Sequence, residues 1–167
     1  MATDTLYESD FFVWTERQAE ELRRAAREGS NLPLDWSNLA EEIESLGKSD
    51  RRSLHRRVYQ ILRHLLKLKY SRVQDPRHGW QDEVQEHRWR LRQVLRDSPS
   101  LRRLLPDAVS EEWRPALNKA ARDLQAYGED LSLATLLDDG PDFTPEEIAD
   151  EEWFPEPARQ RSDDGLR

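Results

Sequence analysis

The pattern of apolar residues between residues 49 and 96 constrains the fold most strongly. In the first half of this segment the apolar residues recur every three or four positions, at Leu54, Val58, Ile61, Leu62, Leu65 and Leu68. The second half has the same spacing, at Trp80, Val84, His87, Leu91, Val94 and Leu95. This period is typical of amphipathic α-helices, and Pro76 and Gly79 interrupt the helix between the halves. A short loop between long helices makes them antiparallel neighbours, so residues 49–96 are predicted to form a long central hairpin.

Shorter helical patterns precede the hairpin. One helix is predicted within residues 9–28, with Gly29 as its stop and with apolar residues Phe11, Trp14, Leu22 and Ala25. Its start is left open, because Thr15 and Gln18 have the spacing of a capping box. A second helix is predicted to begin after Asp35 and to end at Gly47, with apolar residues Trp36, Leu39, Ala40, Ile43 and Leu46. Ser49 is then the predicted cap of the first hairpin helix.

The region after the hairpin also has helical signals. Ser98 before Pro99 predicts a helix start, and residues 107–127 predict a further helix that Pro115 either kinks or restarts. Near the C-terminus, Thr144 and Glu147 have capping-box spacing, Pro145 occupies the first helical position, and Phe143 and Ile148 have the spacing of a hydrophobic staple. Residues 145–152 are therefore predicted to be helical.

Together these patterns predict the all-α class, as a compact bundle of about six helices around the antiparallel hairpin. The chain of 167 residues is expected to form a single helical domain over residues 1–155, followed by a disordered tail at residues 156–167. No cysteine is present, which excludes disulfides, zinc-thiolate sites and thiol nucleophiles. No secretory signal or membrane-spanning run is recognised, so a cytoplasmic protein without membrane partners is expected.

Charge is unevenly distributed along the chain. Residues 1–47 carry 4 basic and 11 acidic groups, residues 48–103 carry 16 and 6, and residues 104–167 carry 6 and 17. Two interpretations follow. The acidic outer segments pack beside the basic hairpin and neutralise it, or the hairpin presents a basic surface to an anionic partner.

Five phrases occur in the order YESDFFVWTERQAEELR, NLAEEIESLGKSDRRSLHRR, LRHLLKLKYS, DSPSL and FTPEEIADEEWFP. In content and order they resemble the bacterial family called Domain of Unknown Function 29, over roughly residues 7–155. This resemblance implies an all-helical fold. It implies no activity, catalytic residue or cofactor, because the family has no assigned function.

One face of the hairpin combines basic and aromatic residues. On a helical wheel, the side opposite the leucine stripe carries Arg52, Arg56, Tyr59, Arg63, Lys67 and Tyr70. Trp89 lies opposite the apolar stripe of the second hairpin helix. Cations interleaved with aromatic rings suit phosphate contact and base stacking, so these seven residues are a candidate nucleic-acid site. The alternative is that other helices cover this face.

Two histidines are predicted to meet across the hairpin. His64 and His87 lie at similar distances from a turn near Asp75, and Glu83 is one turn before His87. Histidine and carboxylate ligands on facing helices hold metals in helical bundles, so His64, Glu83 and His87 are a candidate metal site. The alternative interpretation is that both histidines belong to the core and hold no metal.

The leading functional hypothesis is a non-catalytic protein-interaction module that binds another protein or its own copy. It requires no cofactor, and the six tryptophans in a polar chain favour it. The two alternatives are nucleic-acid binding by the basic-aromatic face and a metal-dependent hydrolase centred on His64 and His87.

Overall fold

The computed structural model of the protein describes residues 2–131, 136 and 139–158. These residues form helices and no strand, which confirms the predicted all-α class. In chain order the elements are α1 (Ala2–Ser9), α2 (Phe11–Arg27), α3 (Trp36–Tyr70), α4 (Arg77–Asp97), a 3-10 helix (Pro99–Leu104), α5 (Leu105–Gln125) and α6 (Pro145–Ala149). α3 packs against α2, α4 and α5, and residues 71–76 join α3 to α4 in agreement with the predicted hairpin.

The core lies where α3, α4 and α5 meet. The six residues predicted for the inner face of the first hairpin helix are all buried, and α5 adds Val109, Trp113, Leu117 and Leu124. α5 runs as one helix from Leu105 to Gln125, so the idea that Pro115 begins a second helix is wrong. Burial of this continuous apolar surface stabilises the bundle.

Gly47 does not end a helix. α3 is one helix of 35 residues that runs through Gly47. The two helices predicted on either side of Gly47 are therefore a single helix, and Ser49 lies inside that helix. Gly47 is buried at the contact with α2, where an added Cβ would collide with Thr15 Oγ1 and lie 3.3 Å from Phe12 Cδ2. The glycine therefore allows a close approach of two helices, which sequence alone does not distinguish from a helix stop.

α2 begins where Asp10 caps it, by accepting a hydrogen bond from the N–H of Val13 at 3.1 Å. The alternative start at Thr15 is therefore wrong. Gly29 follows its end with φ +68°, as expected for a glycine stop. The buried face also differs from the prediction, because Phe12, Thr15 and Ala19 face the interior.

The predicted apolar residues of α2 lie beside that buried face and are partly exposed. Phe11 and Trp14 instead pack with Tyr7 of α1, and the ring centroids of Tyr7 and Trp14 are 4.8 Å apart in an edge-to-face arrangement. The aromatic residues of α2 thus hold α1 in place.

Ser98 joins the start of α2 to α3. Its Oγ accepts a hydrogen bond from the N–H of Phe12 at 3.1 Å and donates to Asp50 Oδ2 at 3.0 Å. Two residues later, Ser100 donates from its N–H to Asp10 at 2.7 Å and from its hydroxyl at 2.9 Å. The 3-10 helix begins at Pro99, as Ser98 before Pro99 predicts, but the Ser98 side chain makes no capping hydrogen bond to it. Burial raises the pKa of Asp50.

The local signals before α6 are confirmed. Thr144 Oγ1 accepts from the N–H of Glu147 at 3.2 Å, and the Glu147 carboxylate accepts from the N–H of Thr144 at 2.9 Å. Phe143 and Ile148, the predicted staple pair, are both buried in the core. α6 ends three residues before the predicted position 152.

A buried arginine fixes the segment around α6 to α4. Arg88 is 2% exposed, and its guanidinium donates to the backbone carbonyls of Glu147 at 2.7 Å, Ile148 at 3.0 Å and Trp153 at 2.7 Å. Phe154 stacks against it, with the guanidinium carbon 5.3 Å from the ring centroid. Burial lowers the pKa of Arg88 to about 10, so the group stays charged at neutral pH.

The described chain remains in contact with the bundle up to Ala158, whose N–H donates to the Lys69 carbonyl at 2.7 Å. Most of the tail predicted for residues 156–167 lies outside the described residues. In the described part of the chain, every helix is too short or too polar to cross a membrane.

Replacing Gly47 with alanine tests the close contact between α2 and α3. We expect a net loss of about 1–2 kcal/mol in the free energy of unfolding, because overpacking outweighs the gain in helix propensity. Urea unfolding followed by circular dichroism measures it. Gly79→Ala is the matched control: an added Cβ there meets nothing within 4 Å, so stability should not fall. Equal or greater stability of Gly47→Ala would contradict the close-contact role.

Candidate functional site

The basic face of α3 is divided, and its C-terminal half is neutralised inside the protein. Arg63 Nε donates to Asp123 Oδ2 of α5 at 2.6 Å. Lys67 is only 4% exposed, with its Nζ 3.8 Å from the same carboxylate, and the Tyr70 hydroxyl donates to Asp142. These three members of the candidate nucleic-acid site are held by acidic side chains of the same chain and do not form an open basic surface.

Burial alters the titration of this cluster. Burial, and then the nearby Arg63 guanidinium, lowers the pKa of Lys67 to about 8. Its ammonium also lies 4.9 Å from the centroid of the Trp80 ring, a cation–π contact. Burial favours the neutral form of Asp123, but hydrogen bonds from Arg63 and Lys119 outweigh it and leave the pKa of Asp123 lowered. Asp123 therefore remains a carboxylate that holds the cations in place.

Other pairs between the hairpin and the acidic C-terminal half follow the same pattern. His55 lies 3.1 Å from Glu112, Lys69 lies 3.2 Å from Asp142, and Arg92 lies 2.6 Å from Glu151. These pairs support the interpretation that the acidic outer segments neutralise the basic hairpin.

The N-terminal half of the basic face is more open. Arg52 and Arg56 are exposed, Tyr59 is half-buried, and all three line a shallow hollow of about 480 Å³ between α3 and α5. Arg51 belongs to the same hollow, although the sequence did not single it out. Glu111 and Glu112 form its opposite wall.

Trp89, the seventh predicted member, is 49% exposed on α4. Together, the seven residues do not form one exposed face, because internal ion pairs and burial withdraw Arg63, Lys67 and Tyr70 from it.

The structure brings the two predicted histidines together. The ring centroids of His64 and His87 are 6.5 Å apart, and Glu83 Oε2 lies 3.6 Å from His87 Nε2. Burial, and then the charge of Lys67, lowers the pKa of His64 to about 3, so its ring is neutral at physiological pH. Burial also lowers the pKa of His87, whose Nδ1 lies 3.3 Å from an Arg57 nitrogen.

The surroundings of the histidines do not favour a dication. Arg57, Arg63 and Lys67 all contribute positive charge that lowers the pKa of one ring or the other. Within the described ranges, no group of three or more histidine, cysteine, aspartate or glutamate side chains has a geometry that could hold a metal ion. His64, Glu83 and His87 are thus neighbours, but they do not form a three-ligand metal centre.

A different surface is apolar and exposed. We call residues 30–47 the arm, and its exposed leucines the apolar arm face: Leu32, Leu34, Leu39 and Leu46. Leu32 is 61% exposed, Leu46 is 48% exposed and Leu39 is 39% exposed. The sequence indicates the stripe from Trp36 to Leu46 as the apolar side of an amphipathic helix.

Only Ala40 of that stripe is buried. Trp36 and Ile43 are half-buried, and the Trp36 indole N–H is shielded from solvent without a hydrogen-bond acceptor among the described residues. The reason lies in the continuity of α3. Because α3 does not turn back at Gly47, its N-terminal part packs against α2 through the side that contains Ala40 and Gly47. Leu39 and Leu46 lie on a neighbouring side of α3, and Leu32 and Leu34 lie in the segment before it.

The sequence matches a known family over most of its length. The family model described as domain of unknown function DUF29 matches residues 6–154. The chain belongs to this family.

This DUF29 chain is also similar to a solved structure. The solved protein is an alpha-helical protein of unknown function from Rhodospirillum rubrum, known from a crystal structure. The two chains have 28% sequence identity, and their superposition gives a TM-score of 0.70. The match covers 87% of this chain and 90% of that chain. No curated protein matches the DUF29 chain. The family and the fold are therefore shown, and any activity must be inferred from the surfaces themselves.

The buried neutral state of His64 predicts a specific pH dependence. Its pKa is about 3 in the folded protein, whereas the ordinary histidine pKa is 6.5. Between these values the unfolded chain binds a proton that the folded chain does not, so this group destabilises the fold as pH falls from 6.5 toward 3, by up to about 1.4 kcal/mol per pH unit. His64→Leu should remove that contribution.

The measurement is urea unfolding at pH 7.5 and pH 4.5. We expect His64→Leu to lose less free energy of unfolding than the wild type between the two pH values. His78→Leu, at an exposed position, serves as the control and should behave as the wild type does. An identical pH dependence of His64→Leu and wild type would show that His64 is not buried in its neutral form.

Proposed function

We propose that the protein is a protein-interaction module and that the apolar arm face is its binding surface. The observation that carries the proposal is the group of four exposed leucines on one segment, Leu32, Leu34, Leu39 and Leu46. Single exposed apolar residues are ordinary, but a group of them on one segment is a feature of interaction surfaces.

The energetics support this choice. Burying one leucine side chain stabilises a protein by roughly 1.5–3 kcal/mol relative to leaving it exposed. α2 covers the side of α3 that contains Ala40 and Gly47, yet Leu39 and Leu46 gain only part of that stabilisation within the chain. A partner that covers these two leucines gains the rest of that burial free energy on binding.

Site-specific photo-crosslinking tests the proposal. A crosslinking amino acid at Leu39 should attach a protein partner that is identified by mass spectrometry, whereas the same group at Asn38, about 100° around the helix, should not. The complex is then rebuilt from purified components. Leu46→Asp should weaken it at least tenfold.

Ser45→Asp is the matched control, because it adds the same charge at the adjacent exposed position on another side of the helix. It should leave the affinity within about twofold of wild type. Equal crosslinking at Leu39 and Asn38, or equal binding by Leu46→Asp and Ser45→Asp, would contradict the proposal.

Nucleic-acid binding is a second candidate, and it rests on the open half of the basic face. Arg51, Arg52 and Arg56 line the hollow beside Tyr59, and none of the three arginines takes part in an ion pair within the described part of the chain. Binding through arginines to phosphates predicts an affinity that falls steeply with salt concentration.

Fluorescence anisotropy with a single-stranded DNA probe measures this affinity. Arg52→Glu with Arg56→Glu should abolish the salt-sensitive binding, whereas Arg102→Glu with Arg103→Glu, an equal charge change on the 3-10 helix, should retain most of it. The same loss in both double variants would show that any binding follows net charge and not this hollow.

A further inference from the structure

The arm has an uncompensated negative charge. Residues 30–47 contain Asp35, Glu41, Glu42 and Glu44 and no basic residue. Among the residues that the structure describes, only Glu44 of these four has basic partners: Arg23 of α2 and Lys48, at 2.9 Å. Hydrogen bonds from Lys48 and Arg23 lower the pKa of Glu44, consistent with a compensated carboxylate.

The basic residues of α2 nearest the arm already have acidic partners. Arg27 lies 2.9 Å from Glu20, and Arg24 pairs with Glu21. Asp35, Glu41 and Glu42 take part in no ion pair within the described ranges, although Asp35 accepts a capping hydrogen bond from the N–H of Asn38 at 3.2 Å. The acidic charge of the arm is therefore available to a partner.

The acidic residues have different positions relative to the apolar arm face. At about 100° per residue, Glu42 lies about 40° around the helix from Leu46, whereas Glu41 lies about 140° from it. Asp35 is the N-cap that precedes α3, four residues before Leu39, and its carboxylate accepts from the backbone N–H and the side-chain amide of Asn38. Glu42 thus borders Leu39 and Leu46 on one flank, Asp35 lies at the end of the helix before them, and Glu41 is a charge of the same kind outside that border.

The spacing of the apolar residues determines the form of partner that fits. Leu39, Ile43 and Leu46 recur at intervals of four and three residues along about two turns of helix. Such a ridge packs best against the grooves of another helix, and helices bind helical surfaces through apolar residues with the same spacing.

From this arrangement we infer that the partner is an amphipathic helix with an apolar stripe bordered by lysine or arginine residues. The inference deepens the proposed function and rests on it. Cations beside the stripe of the partner meet Asp35 and Glu42 while its apolar residues cover the leucines. Such charge complementarity sets specificity and the rate of association.

A second copy of the chain is a poorer occupant. In a two-fold contact that pairs this helix antiparallel with its copy, the acidic flanks of both copies lie along the same edge, so Asp35 and Glu42 of one copy meet acidic residues of the other. A parallel two-fold contact separates the two acidic flanks and leaves both without cations. Like charges placed opposite each other disfavour association. The basic partner avoids this repulsion.

Three labelled peptides of 18 residues test the inference by fluorescence anisotropy with the full-length protein. The first is an amphipathic leucine–lysine helix, the second replaces every lysine with glutamate, and the third scrambles the first so that no apolar stripe remains. We expect the first peptide to bind at least tenfold more tightly than either of the others.

Variants of the protein locate the contact. Leu46→Asp and Glu42→Lys should each weaken binding of the leucine–lysine peptide at least fivefold. Glu41→Lys, the adjacent charge reversal outside the border, should weaken it less than twofold, as should Glu146→Lys on α6. Circular dichroism and urea unfolding verify that every variant is folded.

The outcomes separate the inference from the proposed function. One outcome is that Leu46→Asp weakens binding while Glu42→Lys and Glu41→Lys behave alike; another is that the glutamate peptide binds as well as the lysine peptide. Either outcome would leave the arm as a docking surface but would show that the inference of a basic partner is wrong. If Leu46→Asp also has no effect, or the scrambled peptide binds equally well, both proposals fail. A concentration-dependent dimer that Leu46→Asp abolishes would replace the basic helix with a second copy.

Discussion

The unbroken course of α3 is the constraint on which the rest of the structure depends. Its 35 residues extend for about 52 Å at 1.5 Å per residue, and α2, α4 and α5 all pack on it. The close crossing of α3 and α2 depends on Gly47, since an added Cβ there would collide with Thr15 Oγ1. The same helix thus supplies the leucine core, the paired basic residues and the exposed arm.

The uneven distribution of charge along the chain is largely compensated by ion pairs inside the protein. Asp123 holds Arg63 and Lys67, and Asp142 holds Lys69 and Tyr70. A buried cation without such a carboxylate is costly, so the acidic C-terminal half is needed to fold the basic hairpin. The surfaces outside this pairing include three arginines at the shallow hollow and the acidic border of the arm. This is why the apolar arm face, and not the whole basic face, carries the proposed function.

Local and periodic signals predicted much of the fold. The capping box at Thr144 requires only four consecutive residues, and the leucine stripe of α3 requires only the helical period. The meeting of His64 and His87 followed from their similar distances to a short turn. These features depend on geometry within one helix or one hairpin, which sequence spacing determines.

The features that sequence reasoning missed depend on distant neighbours. Gly47 has the same local pattern as a helix stop, and only the position of Thr15 shows its role. Arg88 has the helical spacing of the apolar stripe, four residues after Val84 and three before Leu91, but the sequence does not show that its acceptors are backbone carbonyls about 60 residues away. The stripe from Trp36 to Leu46 indicated which side of the helix is apolar, but not that the same chain leaves that side partly uncovered.

The three hydrogen bonds of Arg88 also have a consequence for the order in which the structure forms. They join residues 59 to 65 positions apart, and contacts of such long sequence separation carry a large entropic cost of loop closure, so they follow the local helical contacts. They fix the segment around α6 against α4, with Phe143 and Ile148 in the core. A chain in which these three bonds are broken therefore exposes apolar core surface to solvent.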